Sequence, residues 1–175
     1  MINLEELNCS YNASVFDDNI KELVKLKKLT INNNSKIKNI CHLKNLEELH
    51  CGYGCGVSHD DIEGLVKLKK LIIPGNPKIK KIGHLLNLEE LDCRWNCGVS
   101  DDDIKKLIKL KKLDAHDNSE IKNISHLVNL EELGCGWNSS ISDDDIKGLV
   151  KFKMLNAPGN SKIKNINHLV SEVGA

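Results

Sequence analysis

Seven cysteines carry the most versatile chemistry in this 175-residue chain, because thiolates bind metals and thiols can be oxidised to disulfides. Four of them recur at intervals of 42 residues: Cys9, Cys51, Cys93 and Cys135. If strands with these cysteines alternate with strands without them, successive members lie roughly 10 Å apart, beyond the roughly 7 Å between Cα atoms that a disulfide spans. Cys55 and Cys97 form a second column with the same spacing. We expect buried, reduced thiols that pack as small apolar side chains.

Histidines and clustered aspartates are the next residues that could bind a metal or transfer protons. The chain has no CxxC pair for zinc, and its Asp triplets lack the spacing and the terminal Glu of a calcium-binding loop. One histidine column favours hydrogen bonds to turns: His42, His84, His126 and His168. His116 has no nucleophile to serve, and no GxSxG, HExxH, P-loop or GxGxxG string occurs. The sequence therefore predicts no enzyme, no metal and no cofactor.

The regular spacing reflects a tandem repeat. The string NLEEL begins four times at intervals of 42 residues: Asn3, Asn45, Asn87 and Asn129. Each unit divides into an odd repeat of 22 residues and an even repeat of 20 residues, as Leu4, Leu26 and Leu46 show. The sequence thus predicts a single domain of residues 1–175 with eight repeats. They start near Leu4, Leu26, Leu46, Leu68, Leu88, Leu110, Leu130 and Phe152.

Each repeat opens with apolar residues at positions 1, 4 and 6, and most have Asn at position 9. In the fifth repeat these are Leu88, Leu91, Cys93 and Asn96. This LxxLxLxxN pattern resembles the short forms of the leucine-rich repeat. The resemblance implies an α/β fold, a right-handed solenoid with a concave parallel β-sheet and with short helices or 3₁₀ turns on its convex side. It also implies a hydrogen-bonded ladder of position-9 asparagines: Asn12, Asn34, Asn76, Asn96, Asn118, Asn138 and Asn160. Because Gly54 interrupts this column, we expect a looser turn there.

The residue patterns indicate the same architecture without the family. Leu91 and Cys93 flank Asp92, an alternation typical of a strand with one buried face. One such strand cannot bury its apolar face alone, whereas eight stacked in parallel form a continuous core.

The segments that return to the next strand differ between odd and even repeats. In the fifth repeat, Ser100 is a predicted helix N-cap, and the Asp residues after it favour a helix N-terminus. Ile104, Leu107 and Ile108 should form the apolar face of this helix. Even repeats space their apolar residues by three, which suits an extended or 3₁₀ return.

Charge alternates along positions 2 and 3. Odd repeats carry Glu-Glu there and even repeats carry Lys-Lys, except for Lys153-Met154 in the last. Neighbouring strands therefore place Glu beside Lys, and such cross-strand pairs contribute about 0.2–1 kcal/mol each. We interpret them as support for register and solubility.

Aromatic side chains give the clearest sign of function. Position 8 of the odd repeats holds every Tyr and Trp of the chain: Tyr11, Tyr53, Trp95 and Trp137. Position 8 follows the strand at the rim of the concave sheet, and exposed rings beside an arginine are typical of binding hot spots. Around this column we include variable residues of positions 5 and 7 in the predicted partner-binding surface: His50, Asp92, Arg94, Asp114 and His116. The alternative is that each ring only covers glycine turns of its neighbours.

Composition excludes several classes of partner. The 25 basic and 25 acidic residues cancel, which argues against nucleic acid and anionic membranes as ligands. No apolar run approaches the roughly 20 residues of a membrane span, and the N-terminal residues lack the pattern of a signal peptide. Free cysteines fit a reducing compartment, so we expect a cytoplasmic protein.

We therefore predict a non-enzymatic protein-interaction module whose partner is a protein of unspecified identity. One alternative is a structural protein that forms homo-oligomers through its concave face or its uncapped ends. A further alternative is the substrate-recognition arm of a larger assembly, such as a ubiquitin-ligase adaptor.

Overall fold

The computed structural model describes residues 3–166, within which eight short parallel strands form one sheet in sequence order. The strands are β1 (Glu6–Asn8), β2 (Lys28–Thr30), β3 (Glu48–His50), β4 (Lys70–Ile72), β5 (Glu90–Asp92), β6 (Lys112–Asp114), β7 (Glu132–Gly134) and β8 (Met154–Asn156). Each strand consists of positions 3 to 5 of its repeat, and the position-4 leucines pair across every gap, as Leu91 and Leu113 do. The predicted parallel solenoid and its register are confirmed. We call the sheet face that bears positions 3, 5 and 7 the concave face.

Aliphatic side chains and cysteines fill the space behind the sheet. The leucines at position 4 and the residues at position 6 point inward, where Cys51, Cys93 and Cys135 have no exposed surface. Isoleucines and leucines of the return segments complete one continuous core. The thiols pack as small apolar side chains, as predicted, and Cys41 is the exposed exception.

Short helices occur in the odd repeats, as predicted. They are α1 (Asp17–Ile20), α2 (Asp101–Ile104) and α3 (Asp143–Ile146), with a 3₁₀ turn at Asp60–Ile62. Ser100 is the N-cap residue of α2, where the Asp103 carboxylate accepts hydrogen bonds from its backbone N–H and hydroxyl at 2.9 and 2.8 Å. The predicted apolar helix face is wrong at Ile108, which is exposed because α2 ends after one turn.

The aspartates and histidines of the return segments join neighbouring repeats. Asp101 Oδ1 accepts hydrogen bonds from the backbone N–H groups of Lys122 and Asn123 at 2.8 and 3.0 Å. The ring of His126 lies 3.2 Å from the Ile104 carbonyl at the end of α2. These contacts satisfy backbone groups and confirm the turn-bonding interpretation of the histidines, whereas Asp101 bonds to the backbone of the next repeat rather than to that of its own helix. His168 of the same column lies outside the described residues.

The asparagine ladder forms only in the even repeats. There the Asn side chains are buried and donate to carbonyls of the preceding odd turn: Asn34, Asn76, Asn118 and Asn160. The prediction for the odd repeats is wrong, because these side chains are exposed: Asn12, Asn96 and Asn138. The longer odd turn instead buries the residue at position 10, which is Cys55, Cys97 or Ser139 in three of these repeats.

The turn at Gly54 is tight rather than loose. Gly54 has a φ of +64°, and a Cβ there would lie 2.5 Å from Oδ1 of Asn33. This backbone conformation and close approach account for the glycine.

Two ion-pair ladders cross the sheet. At position 2 each Glu pairs with the Lys of the following strand, as Lys111 does with Glu89 at 2.6 Å. At position 3 each Lys pairs with the Glu of the following strand, as Lys112 does with Glu132 at 2.8 Å. The cross-strand charge pairing is confirmed, and together the two ladders pair charges across every strand gap.

Candidate functional site

Three of the four residues of the aromatic column, on the rim of the sheet, have a costly backbone conformation. Tyr11, Trp95 and Trp137 have φ values of 59°, 58° and 52°. Left-handed backbone costs a residue with a side chain roughly 1–2 kcal/mol. Even repeats place tolerant residue types at position 8, namely Asn33, Gly75, Asp117 and Gly159. An exposed bulky ring in this conformation therefore points to a role beyond folding.

The rings rest on polar and glycine neighbours while much of their surface remains exposed. The Arg94 guanidinium lies 4.9 Å from the centre of the Trp95 ring. The Trp137 ring lies 5.3 Å from the His116 ring, and a Cβ at Gly159 would lie 3.3 Å from the Trp137 ring. The exposed fractions of Trp95 and Trp137 are 49% and 56%. Covering of glycine turns is thus real, but it accounts for only part of each ring.

An ionic cluster lies between these two tryptophans. Arg94 donates to both oxygens of Asp92, at 3.0 Å from Nε and 2.8 Å from a terminal nitrogen. Its Nε also lies 3.4 Å from Asp114, whose other oxygen contacts Nδ1 of the His116 ring. β5, β6 and the turns that follow them thus bring four predicted site residues together.

Burial makes the charge state of the Asp92 carboxyl depend on the groups around it. Asp92 is 8% exposed, and burial raises the pKa of its carboxyl above the ordinary value of 3.8 although Arg94 acts in the opposite direction. The sheet therefore holds a carboxylate that is poorly hydrated and depends on one guanidinium.

The raised pKa of Asp92 predicts a pH-dependent difference in stability between the wild type and Asp92→Asn. A carboxyl whose pKa is higher in the folded state favours folding below its unfolded pKa. That contribution is lost as the pH rises through the folded pKa. The free energy of unfolding of the wild type minus that of Asp92→Asn should therefore fall between about pH 3.8 and the folded pKa. Urea titrations at several pH values measure this difference, and a rise with pH would contradict the assignment.

A shallow bay opens on the concave face beside the ionic cluster. It measures about 190 Å³ and lies over Gly134, with Glu90, Asp114 and Glu132 among its walls. A Cβ at Gly134 would lie 2.5 Å from the His116 ring and 2.7 Å from Asp114. Glycine is therefore what keeps the bay open. Small-molecule sites usually measure about 300–1,000 Å³, so this bay suits one side chain of a larger ligand.

The remaining predicted site residues lie apart from the cluster. His50 is on β3, two strands from β5, and its ring contacts Glu48 at 2.6 Å. Tyr11 and Tyr53 follow β1 and β3 on the same rim. Sequence reasoning missed Gly134, although a glycine at position 5 was a visible departure from the other repeats.

The concave face offers charged and aromatic side chains that suit binding. Within residues 3–166 there is no cluster of three or more His, Cys, Asp or Glu side chains that could hold a metal ion. No helix in the same range has the length and hydrophobicity needed to cross a membrane. The concave face thus presents charges, two tryptophans and a side-chain-sized bay.

Comparison with known proteins gives structural relatives only. No protein-family model matches the sequence, and no curated protein matches it either. The fold is similar to that of an internalin, InlF, from Listeria monocytogenes, with a TM-score of 0.64, 22% sequence identity and coverage of 96% of this chain. Internalin C2 of the same species gives a TM-score of 0.66 and 19% identity over 95% of this chain.

A third structural neighbour comes from the same species. The functional domain of InlJ from Listeria monocytogenes, described as including a cysteine ladder, gives a TM-score of 0.54 and 18% identity over 95% of this chain. The chain spans 58%, 76% and 47% of the lengths of InlF, InlC2 and InlJ. At these identities the likeness establishes the fold, and function has to be argued from the site.

Proposed function

We propose, for a chain that has the leucine-rich-repeat fold, that its concave face binds a protein partner without catalysing a reaction. The observation that carries the proposal is the cluster of Asp92, Arg94, Asp114 and His116 between two half-exposed tryptophans in strained conformations. Tryptophan and arginine are enriched among the residues that dominate the energetics of protein interfaces. Internalin-like leucine-rich-repeat neighbours support an interaction module at the general level.

The bay suggests the chemistry of the partner. Four carboxylates line it, from Glu90, Asp92, Asp114 and Glu132, and they outnumber the three cations that pair with them, which are Lys70, Arg94 and Lys112. A Lys or Arg side chain of the partner would fit both the size and the charge of this bay. Trp95 and Trp137 would then cover the partner surface around that anchor.

A designed substitution tests the tryptophans without disturbing the fold. Asn33 occupies position 8 with a φ of 55°, so Trp95→Asn and Trp137→Asn place a residue that the backbone already accepts. The double variant should retain its stability within about 1 kcal/mol, and it should lose at least about tenfold in affinity, as a hot-spot truncation does.

A competition experiment tests the same surface without requiring that the partner be identified. Proteins captured from the source cells by immobilised wild type are eluted with soluble competitors and quantified. Wild type and the variant Lys106→Ala, in the exposed turn that follows α2, should displace a specific protein equally, whereas Trp95→Asn/Trp137→Asn should not. Equal displacement by all three competitors would contradict the proposal.

Two finer alternatives use the same surface. In one, the partner is a second copy of the chain; in the other, the chain is the substrate-recognition arm of a larger assembly such as a ubiquitin-ligase adaptor. Light scattering after size exclusion, over a hundredfold range of concentration, tests the first alternative because it measures whether two copies of the chain associate. We expect a monomer throughout, whereas a dimer that Trp95→Asn/Trp137→Asn dissociates would mean that the rim serves self-recognition. A cytoplasmic location stays a prediction.

A further inference from the structure

The rings of the aromatic column recur at a constant interval along the rim. They belong to alternate strands of the sheet, so successive rings are two strand spacings apart. Backbone hydrogen bonds maintain this interval at the rim itself. The Trp95 N–H donates to the His116 carbonyl at 3.1 Å, and the Asp117 N–H donates to the Gly136 carbonyl at 3.2 Å. The column therefore presents one ring every 9.6 Å, approximately twice the spacing between strands.

Tyr53 belongs to this column although its backbone is not left-handed. A Cβ at Gly75, in the following strand's turn, would lie 2.8 Å from the Tyr53 ring. The corresponding distance from a Cβ at Gly159 to the Trp137 ring is 3.3 Å. The two rings thus lie over equivalent glycines of their neighbouring repeats. The regular interval consequently extends from Trp137 back to Tyr53, beyond the ionic cluster.

Each ring also carries a hydrogen-bond donor that the described part of the chain does not use. The indole N–H groups of Trp95 and Trp137 and the hydroxyls of Tyr11 and Tyr53 make no hydrogen bond to residues 3–166. Tyrosine and tryptophan at interfaces commonly combine apolar contact with one such polar group. A ligand that fits the aromatic column should therefore offer apolar surface and free acceptors at the same interval.

The interval discriminates between the regular conformations of a partner chain. A polyproline II helix presents the same face every three residues, or about 9.3 Å. Two turns of an α-helix span about 10.8 Å, and a β-strand returns to the same face after about 6.7 Å. Over the two intervals from Tyr53 to Trp137, the polyproline II helix deviates by less than about 1 Å. The α-helix deviates by more than about 2 Å.

A polyproline II segment also matches the surface chemically. It has no internal hydrogen bonds, so its carbonyls are free to accept from the indole and phenol groups. Grooves lined with aromatic side chains bind such segments because the extended conformation is already formed in the free ligand. The bay beside Trp95 and Trp137 adds charge complementarity, since its carboxylates suit a basic residue of the same segment.

We propose that the aromatic column binds a proline-rich segment of the partner protein in the polyproline II conformation. Prolines at every third residue contact Tyr53, Trp95 and Trp137, and a basic residue of the segment enters the bay. This inference rests on the proposed function and adds to it the conformation and the sequence spacing of the partner. It also extends the binding surface to Tyr53, which lies apart from the ionic cluster.

The test measures the fluorescence anisotropy of a labelled synthetic peptide mixed with the full chain. The probe carries proline at every third position, with an arginine at each end so that either chain direction places a guanidinium near the bay. One control peptide has the same composition with irregularly spaced prolines, and another has alanine for each proline. We expect both controls to bind at least about tenfold more weakly, because they lose the spacing or the preformed conformation.

Tyr53→Ala tests whether the contact follows the whole aromatic column. The Tyr53 side chain is 68% exposed, so we expect an unchanged circular dichroism spectrum. The probe should nevertheless bind about fivefold more weakly or worse, since one of three ring contacts is lost. Val150→Ala is the matched control, because Val150 is an exposed apolar residue outside the aromatic column and the bay. This control should bind the probe as the wild type does.

Three results would overturn the inference. They are no saturable binding of the probe, equal binding of the peptide with irregular prolines, and unchanged affinity in Tyr53→Ala. The competition experiment with Trp95→Asn/Trp137→Asn distinguishes this failure from failure of the proposed function. If that variant still fails to displace the captured protein while the probe does not bind, the concave face binds a partner segment of another conformation. If neither experiment gives the expected result, the proposed function is wrong as well.

Discussion

Asn118→Ala should lower the free energy of unfolding by about 3 kcal/mol. Asn118 is buried, and its amide donates to the carbonyls of Cys93 and Val99 at 3.1 and 3.3 Å. Its side-chain oxygen accepts from the Glu120 N–H at 3.0 Å. Alanine would leave two buried carbonyls and one N–H without these partners. Urea denaturation followed by circular dichroism measures the loss.

The control is the same substitution in the following odd repeat. Asn138→Ala removes an exposed asparagine from position 9, with a single side-chain contact to Asp117 at 2.6 Å. We expect a loss below about 1 kcal/mol. Equal losses for the two variants would contradict the division of the ladder between even and odd repeats.

Gly136→Val should destabilise the sheet by about 2–3 kcal/mol, as overpacking of a close contact does. A Cβ at Gly136 would lie 2.6 Å from the Pro158 carbonyl oxygen, 2.7 Å from its ring and 2.8 Å from His116. The same pairing of Gly with Pro recurs at Gly52 and Pro74, two double repeats earlier. Carbonyl and proline ring belong to the neighbouring turn and cannot rotate away, so the strain has to be absorbed by backbone movement.

Gly148→Ala provides the comparison. Nothing lies within 4 Å of a Cβ at Gly148, and its backbone is outside the left-handed region. Removing the conformational freedom of glycine from the unfolded chain should stabilise the protein by about 0.4–1 kcal/mol. Thermal unfolding of both variants tests this pair, and a Gly136→Val protein as stable as the wild type would mean that the turns can separate freely.

The fold could be predicted from the sequence because each repeat has to bury the same apolar face against its neighbours. Period-2 alternation at Leu91, Asp92 and Cys93 sets the inward face, and the 42-residue period then sets the register of every strand. The asparagine ladder was predicted only in part, since counting to position 9 ignores that the odd turn is longer. With that length, the residue at position 10 is the buried one in the odd repeat, as Cys97 is, whereas Asn118 is buried at position 9 of the next repeat.

The site was harder to predict because it depends on contacts between repeats. Composition and position identified Arg94, Asp114 and the tryptophans, and the structure brings them into one region. The left-handed backbone of Trp95 and the open space above Gly134 have no signature in a pattern of apolar residues. The left-handed backbone could have been inferred from the glycines that occupy position 8 of neighbouring even repeats.

Site-specific photo-crosslinking tests most directly whether the concave face binds a protein. A photoreactive phenylalanine analogue is introduced at Ile72, which lines the bay, and separately at Ile108, which is exposed between α2 and β6. In cells that make the protein, we predict a discrete crosslinked protein from position 72 only. It should disappear in the Trp95→Asn/Trp137→Asn background. Crosslinks from position 108 alone, or from both positions regardless of the tryptophans, would contradict binding through the concave face.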